Sequence, residues 1–223
     1  FCTNYDKMLR RGFADVRREA QERLDALEGR IFGDDMDKYQ FYRAIVTVCT
    51  GAITYAERCE EAVRRAADEA ADPARRAELL ETAECLGHLF KNPVRSFREA
   101  VCALFLYQTL LILDGNLHGM SWGRIDHYLG RYYEADLASG ALTPETAQEL
   151  TDMFFLRVAE MNRVNPERIT SSSGGYTSGQ MMTLGGVTPQ GEDASNAVSL
   201  MMLRASARLM LHDPTMTLRV SDK

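Results

Sequence analysis

The stretch NLHGMSWGRIDHY, residues 116–128, brings together side chains whose types and spacing could do chemistry. It follows a long apolar run directly and supplies a carboxamide, an imidazole, a hydroxyl, a guanidinium and a carboxylate, from Asn116, His118, Ser121, Arg124 and Asp126. Such groups can hydrogen-bond to a small polar molecule, and the imidazole and carboxylate can also transfer protons. So much polarity at the end of a buried element requires either a chemical or a structural explanation.

The structural explanations are simple. Ser is a leading N-cap residue, so Ser121 could cap the helix that follows. Arg124 and Asp126 could form an ion pair, because a buried charge must be paired. The remaining polar side chains of the stretch could be satisfied groups without a chemical role: Asn116, His118 and His127. The residue types alone leave both explanations open.

The rest of the sequence lacks the common local motifs of metal, phosphate and acyl-transfer sites. The four histidines are scattered and there is no H-E-x-x-H, so no zinc site is predicted. SSGGYTSG, residues 172–179, lacks the lysine of a phosphate loop, and no G-x-S-x-G elbow is present. The cysteines are odd in number and contain no C-x-x-C pair: Cys2, Cys49, Cys59, Cys85 and Cys102. With no signal-peptide pattern at the start, this cysteine set favours a reducing cytoplasm.

Composition limits the class of protein. The chain has 223 residues, 45% of them hydrophobic, which is enough for one large domain or a lobe of a larger one. Its formal charge is −6, and basic residues alternate with acidic ones along helical segments, so a nucleic-acid partner is not expected. The longest apolar run, residues 100–113, is well short of the roughly 20 residues of a membrane span and is predicted to be a core helix.

Hydrophobic periodicity and cap residues predict a helix-dominated α/β chain. Helices are predicted over residues 5–27, 37–70, 73–86, 97–113, 128–138, 144–161 and 194–211. The predicted caps are Asp72, Ser96 with Glu99, Thr143 and Asp193, and Gly140 should end the fifth helix. Residues 165–179, rich in Ser and Gly, indicate a flexible loop. QMMTLGGV (180–187) and PTMTLRV (214–220) are predicted strands, whose partner strands should lie elsewhere, because two isolated strands cannot satisfy their own edges.

Six stretches, in order along the chain, make it resemble a glycyl radical enzyme of the pyruvate formate-lyase-like superfamily. These stretches are NYDKMLRRGFADV, KNPVRSFREAV, NLHGMSWGRIDHYL, LTPETAQEL, MTLGGVTPQGEDASNAVS and HDPTMTLRV. The third is most similar to the dehydratase and lyase branch, whose pattern reads N-G-H-S-x-S-x-G-R-x-D-x-Y. The resemblance covers most of the chain, so residues 1–223 are identified as a single segment of such a domain.

The resemblance implies a ten-stranded α/β barrel with an outer helical shell, of which this chain would be part. It implies radical elimination on a small polar substrate, with no bound cofactor beyond a glycyl radical that a radical S-adenosylmethionine activase installs. The substrate, the activase and a second copy of the protein are the expected partners. The family's radical glycine and thiyl cysteine lie beyond Lys223, so this chain is expected to be inactive alone. The alternatives are a carbon–carbon lyase like pyruvate formate-lyase and a non-catalytic scaffold or degenerate relative.

In the resembling enzymes the turn after the buried helix faces the substrate. Carried over position by position, this implies substrate contacts for Asn116, His118, Ser121, Arg124 and Asp126. Gly115, Gly119 and Gly123 would permit close backbone approach. Two residues depart from the pattern: Gly119 often corresponds to Ser, which puts a diol substrate in doubt, and Trp122 replaces a typical Leu and should make this wall bulkier. Gln180 and Met182 are further candidates for the pocket.

Overall fold

A computed structural model describes residues 2–29, 31–115, 119–161, 166–173 and 179–220. The described elements, in chain order, are helices α1 (Tyr5–Asp25), α2 (Asp35–Glu69), α3 (Pro73–His88), α4 (Phe97–Gly115), α5 (Ile125–Ser139), α6 (Pro144–Ala159) and α7 (Glu167–Ser173), strand β1 (Met181–Gly185), helix α8 (Ala197–Leu209) and strand β2 (Thr215–Arg219). The helix-dominated α/β class is therefore confirmed, whereas the described residues do not form a ten-stranded barrel. None of the described helices is long and apolar enough to cross a membrane.

The chain forms two compact units, Lys7–Val94 and Phe1–Asp6 with Arg95–Lys223. In Lys7–Val94, α2 packs on α3 through buried alanines, which let two helices approach closely: Ala52, Ala56, Ala67 and Ala83. Helix α1 is interrupted at Gly12, which has a φ of 73°. The amides of Phe13 and Ala14 after this break both donate to the carbonyl of Phe90. The interruption thus directs backbone donors to a loop carbonyl of the same unit.

The other unit contains a parallel β1–α8–β2 crossover. Strand β2 pairs with β1 in a register that runs from Met181 beside Thr215 to Gly185 beside Arg219. The opposite edge of β1 contacts the segment before α5 through a parallel bridge between Gly123 and Met182, and Ser121 in that segment bridges to Cys2. The two predicted strands are therefore confirmed, and they pair with each other.

Cap residues determine most helix boundaries in the way the sequence predicts. Asp72 accepts from the amide of Ala74, and Thr143 accepts from that of Thr146. Gly140, with a φ of 75°, ends α5. At α4 only half of the predicted capping box forms: Ser96 Oγ accepts from the amide of Glu99 at 3.2 Å, but the Glu99 carboxylate accepts from Arg95 rather than Ser96.

Three local predictions are wrong. Helix α8 is capped by Asn196, whose side chain accepts from the amides of Val198 and Ser199, and not by Asp193. The Asp193 carboxylate instead closes a turn with Ser195, through the amide at 3.0 Å and the hydroxyl at 2.9 Å. Helix α5 begins at Ile125, three residues before its predicted start, and α7 forms within the predicted loop. Residues 174–178 of that loop lie outside the described residues.

Candidate functional site

The candidate site is the segment of residues 119–126, which follows α4 in the sequence and leads into the first turn of α5. It contains three of the five predicted contact residues, Ser121, Arg124 and Asp126. The other two, Asn116 and His118, lie outside the described residues.

The segment runs along β1 and is held to it by backbone hydrogen bonds. The Trp122 amide donates to the Met181 carbonyl at 2.7 Å, and the Thr183 amide donates to the Gly123 carbonyl at 2.9 Å. Gly123 has a φ of 65°, and a β-carbon built there would lie 2.7 Å from Cys2 Sγ. Only glycine fits this position without displacing the neighbouring thiol.

Ser121 is half-buried, and its hydroxyl is committed to backbone groups. It donates to the Met181 carbonyl at 3.1 Å and accepts from the Gly123 amide at 3.1 Å. The helix that follows has Arg124 at its N-cap position, without a side-chain cap bond. Ser121 therefore joins the segment to β1 and does not cap α5.

Arg124 extends its guanidinium over the carboxyl end of β1. It donates to the carbonyl of Gly185 at 2.8 Å and to that of Val187 at 3.2 Å, and it also contacts His127 Nε2. Its buried Nε has no hydrogen-bond partner among the described residues. Burial and the neighbouring Arg124 charge lower the pKa of His127, although Asp126 opposes this shift. The imidazole is thereby favoured in its neutral form, which can accept the guanidinium hydrogen bond.

Asp126 is completely buried, and donors surround its carboxylate. Oδ2 accepts from the amide of Gly185 at 2.7 Å and from the hydroxyl of Ser199 at 2.6 Å, while Oδ1 accepts from the amide of His127 at 2.9 Å. Its backbone carbonyl accepts from Asn196 at 3.2 Å. Asp126 thus connects α5 to β1 and to the first turn of α8.

The predicted alternative of an Arg124–Asp126 ion pair is not observed. The Asp126 carboxylate accepts from neutral donors, and the two terminal nitrogens of Arg124 donate to carbonyl oxygens. Buried charges need hydrogen-bonding partners, but these partners need not carry the opposite charge.

A buried polar network lies next to the segment and includes Gln180, a predicted pocket candidate, but its other members, Tyr5 and Gln108, were not predicted as part of the site. The Tyr5 hydroxyl donates to Gln108 Oε1, and Gln108 Nε2 donates to Gln180 Oε1 at 3.0 Å and to the Met120 carbonyl at 3.4 Å. Gln180 Nε2 in turn donates to the Val158 carbonyl at 3.4 Å. The signal in the sequence was Gln108 itself, a polar residue inside the apolar run of α4.

Two other predicted pocket features belong to the core. Trp122 is completely buried, with its ring 5.8 Å from that of Tyr5 and 5.1 Å from that of Phe154. The expectation that Trp122 makes the cavity wall bulkier is therefore wrong. Met182 is likewise completely buried. Gly119, by contrast, has a φ of 70°, and a β-carbon built there would have no atom of another described residue, its chain neighbours aside, within 4 Å.

None of the five cysteines takes part in a disulfide bond within the described part of the chain, and no group of His, Cys, Asp and Glu residues there is placed to hold a metal ion. Cys49 is buried, which raises the pKa of its thiol and makes it less reactive. Cys2 is exposed and the remaining three are half-buried. Chemically, the segment offers hydrogen-bond donors and acceptors.

The chain is similar over its whole length to a known family. The family model described as Pyruvate formate lyase-like matches residues 1–223. An isethionate sulfite-lyase of Bilophila wadsworthia is 33% identical over 99% of this chain, and a probable dehydratase of Escherichia coli, YbiW, is 29% identical over 98%. The chain spans 27% of the length of each of these relatives.

Solved structures show the same similarity. The glycerol-bound B12-independent glycerol dehydratase from Clostridium butyricum matches with a TM-score of 0.90 and 31% identity. The match covers 100% of this chain and 28% of the dehydratase chain. A glycyl radical enzyme from Archaeoglobus fulgidus matches with a TM-score of 0.89 and 30% identity. The match covers 99% of this chain and 28% of the Archaeoglobus chain.

Proposed function

Because the chain belongs to the pyruvate formate lyase-like family, we propose that it is the central part of a glycyl radical lyase or dehydratase that carries out radical elimination on a small polar substrate. The observation that carries this proposal is the similarity of the whole chain to proteins named as lyases and dehydratases, with a TM-score of 0.90 for one of them. Those names favour this function over a formate-type carbon–carbon lyase and over a non-catalytic scaffold.

The radical residues of this mechanism belong to the part of the full-length protein that this chain does not include. We propose that an activating enzyme installs the glycyl radical there, that a thiyl cysteine starts the reaction, and that the protein is a homodimer. The parallel arrangement of Cys2, the 119–126 segment, β1 and β2 fits one wall of the expected barrel.

In this proposal Asn116, His118 and the 119–126 segment line the substrate cavity. Ser121 and Arg124 are only half-buried, so their side chains can reach a bound molecule. The carboxylate of Asp126 is surrounded by protein donors, which supports a role in holding the wall in place.

The test uses the full-length protein and its activase under anaerobic conditions. We expect a glycyl radical in the electron paramagnetic resonance spectrum. We also expect elimination from at least one member of a panel that includes isethionate and glycerol, detected as sulfite release or loss of water. A protein that acquires no radical from an active activase would contradict the proposal.

The site is tested with Ser121→Ala and Arg124→Gln in the same protein. Because both changes leave the radical residues untouched, we expect an unchanged radical signal with a raised KM or a lowered kcat. Normal turnover by both variants would remove these two side chains from the substrate site.

A further inference from the structure

Gln108 lies at the centre of a directional chain of buried hydrogen bonds. Its Oε1 accepts from the Tyr5 hydroxyl, and its Nε2 donates to Gln180 Oε1 at 3.0 Å and to the Met120 carbonyl at 3.4 Å. Gln108 is 0% exposed, and Tyr5 and Gln180 are each 1% exposed. In such surroundings each polar group needs its partner, because a buried polar group without a hydrogen bond destabilises the fold.

Each member of this network has a defined role as donor or acceptor. Burial raises the pKa of Tyr5, so its hydroxyl stays protonated and donates. This orients the Gln108 amide with Oε1 toward Tyr5 and Nε2 toward Met120 and Gln180. Gln180 continues the direction by donating to the Val158 carbonyl. A flip of the Gln108 amide would place two acceptors face to face.

The two acceptors of Gln108 Nε2 immediately precede the two partners in the Ser121 hydrogen bond. Met120 precedes Ser121, and Gln180 precedes Met181, whose carbonyl accepts from the Ser121 hydroxyl at 3.1 Å. The Gln180 carbonyl also accepts from the amide of Thr215 at 3.0 Å, which connects it to β2. A single amide group on α4 therefore holds the candidate site segment and the start of β1 together.

The Thr151 hydroxyl is a buried polar group of the same unit without that connection. It is also 0% exposed, and it donates to the Ala147 carbonyl of its own helix at 2.8 Å. Removing it takes a hydrogen bond from α6, whereas removing the Gln108 amide takes one hydrogen bond from each of the two segments that meet at Ser121.

We propose that Gln108 is a positioning residue that fixes Ser121 against the carbonyl of Met181. A catalytic consequence rests on the proposed function, in which Ser121 lies in the substrate site. The effect of Gln108 on the position of Ser121 does not rest on the proposed function, because it concerns only hydrogen bonds within the chain.

The experiment measures amide hydrogen exchange in the full-length protein, at Trp122 and Gly123. These amides report on the segment directly, because they donate to the Met181 carbonyl and to Ser121 Oγ. In Gln108→Met, which keeps the length of the side chain, we expect exchange at both amides to accelerate about tenfold or more, as for a local loss of about 1.4 kcal/mol. Gln108→Glu is the second variant, since it retains the acceptor for Tyr5 but lacks the two donors.

One control separates positioning from general destabilisation. Thr151→Val removes a buried hydroxyl elsewhere in the unit. We expect exchange at Trp122 and Gly123 to change less than about threefold in this control. Unchanged exchange in both Gln108 variants, or equal acceleration in Thr151→Val, would overturn the proposal.

Kinetics provide a separate readout. In the activated full-length enzyme, with isethionate or glycerol as the probe, Gln108→Glu should raise KM about tenfold at an unchanged radical content, while Thr151→Val leaves KM unchanged. Accelerated exchange with an unchanged KM would overturn the catalytic consequence. Absence of a radical in the wild-type protein would contradict the proposed function, and hydrogen exchange would still decide the role of Gln108.

Discussion

The carboxylate of Asp126 accepts a hydrogen bond of 2.7 Å from the amide of Gly185, although the two residues are 59 positions apart in the sequence. Gly185 is the last residue of β1, and Asp126 lies in the first turn of α5. The contact fixes the carboxyl end of a strand beside the start of a helix. Because Ser199 of α8 donates to the same oxygen at 2.6 Å, one carboxylate joins three elements.

We expect Asp126→Asn to lower the free energy of unfolding by about 2–4 kcal/mol. The carboxamide of Asn has one acceptor oxygen in place of the two carboxylate oxygens, and its NH2 group would face existing donors. Hydrogen bonds to charged buried groups contribute about 1.5–3 kcal/mol each. Denaturant unfolding of the full-length protein measures the loss. Asp193→Asn is the matched control, because that carboxylate closes an exposed turn and its change should have little effect. Equal stability of the two variants would contradict the joining role.

A second prediction concerns the glycines of the candidate site. Gly123→Ala should destabilise the protein by about 3 kcal/mol or more, because a positive φ is unfavourable for alanine and the new β-carbon would lie 2.7 Å from Cys2 Sγ. Gly119 has a similar φ, but no contact for a new β-carbon lies within 4 Å among the described residues beyond its chain neighbours, so Gly119→Ala should cost only about 1–2 kcal/mol. Thermal unfolding of both variants separates the steric cost from the conformational cost.

The Cys2 thiol provides an internal check on this steric cost. Cys2→Ala removes the sulfur that the new β-carbon would meet, so Gly123→Ala should cost less in a Cys2→Ala background. Part of the cost should remain, because Tyr128 Oη lies 3.1 Å from the same position. Strict additivity of the two substitutions would show that the Cys2 sulfur does not contribute to the cost.

Local features of the sequence predicted most of the helices. Apolar periodicity located α1 and α2, and the caps Asp72, Thr143 and Gly140 act within one turn of their helix ends, so the information lies in adjacent residues. The cap of α8 was assigned wrongly because Asp193 and Asn196 both have N-cap chemistry. In the structure Asn196 is the N-cap of this helix, because the Asp193 carboxylate accepts a hydrogen bond from Ser195 instead.

The candidate site was predictable in its location but not in its connections. Residue types within 116–128 indicated polar chemistry after a buried helix. The partner of Ser121 lies 60 positions away, and that of Asp126 lies 59 away, so neither follows from local spacing. Gln108 was recognisable only as an interruption of an apolar run. Hydrogen bonds between residues so far apart depend on how the helices and strands pack, and local patterns in a single sequence do not reveal that packing.

A third prediction compares two glycines of the Lys7–Val94 unit. Gly12 has a φ of 73° and a ψ of 165°, and a β-carbon there would lie 2.8 Å from the backbone of Asn92. Gly12→Ala should therefore cost about 3 kcal/mol or more, because this region is accessible almost only to glycine. Gly51 lies inside α2, and a β-carbon there would meet no described atom within 4 Å outside its chain neighbours and the helix's own backbone, so Gly51→Ala should stabilise the protein by about 1 kcal/mol. Similar melting temperatures for the two variants would contradict the described path of α1.

The last prediction concerns the pH dependence that His127 confers. Burial and the Arg124 charge lower the pKa of His127 below its ordinary value of 6.5, so the unfolded chain binds a proton more readily than the folded one. Stability from this group is therefore fully present above about pH 6.5 and is lost as the pH falls below that value. His127→Gln retains an acceptor for Arg124 but does not titrate, so this part of the acid destabilisation should disappear.

The measurement is denaturant unfolding of the full-length wild type and of His127→Gln, between about pH 7.5 and pH 5.5. The wild type should lose more stability than the variant over this interval, and the two curves should run parallel at higher pH. The difference should shrink in an Arg124→Gln background, because the guanidinium charge is one cause of the lowered pKa of His127. Parallel curves throughout the interval would show that the imidazole titrates equally in the folded and unfolded states, and that its contact with Arg124 does not affect protonation.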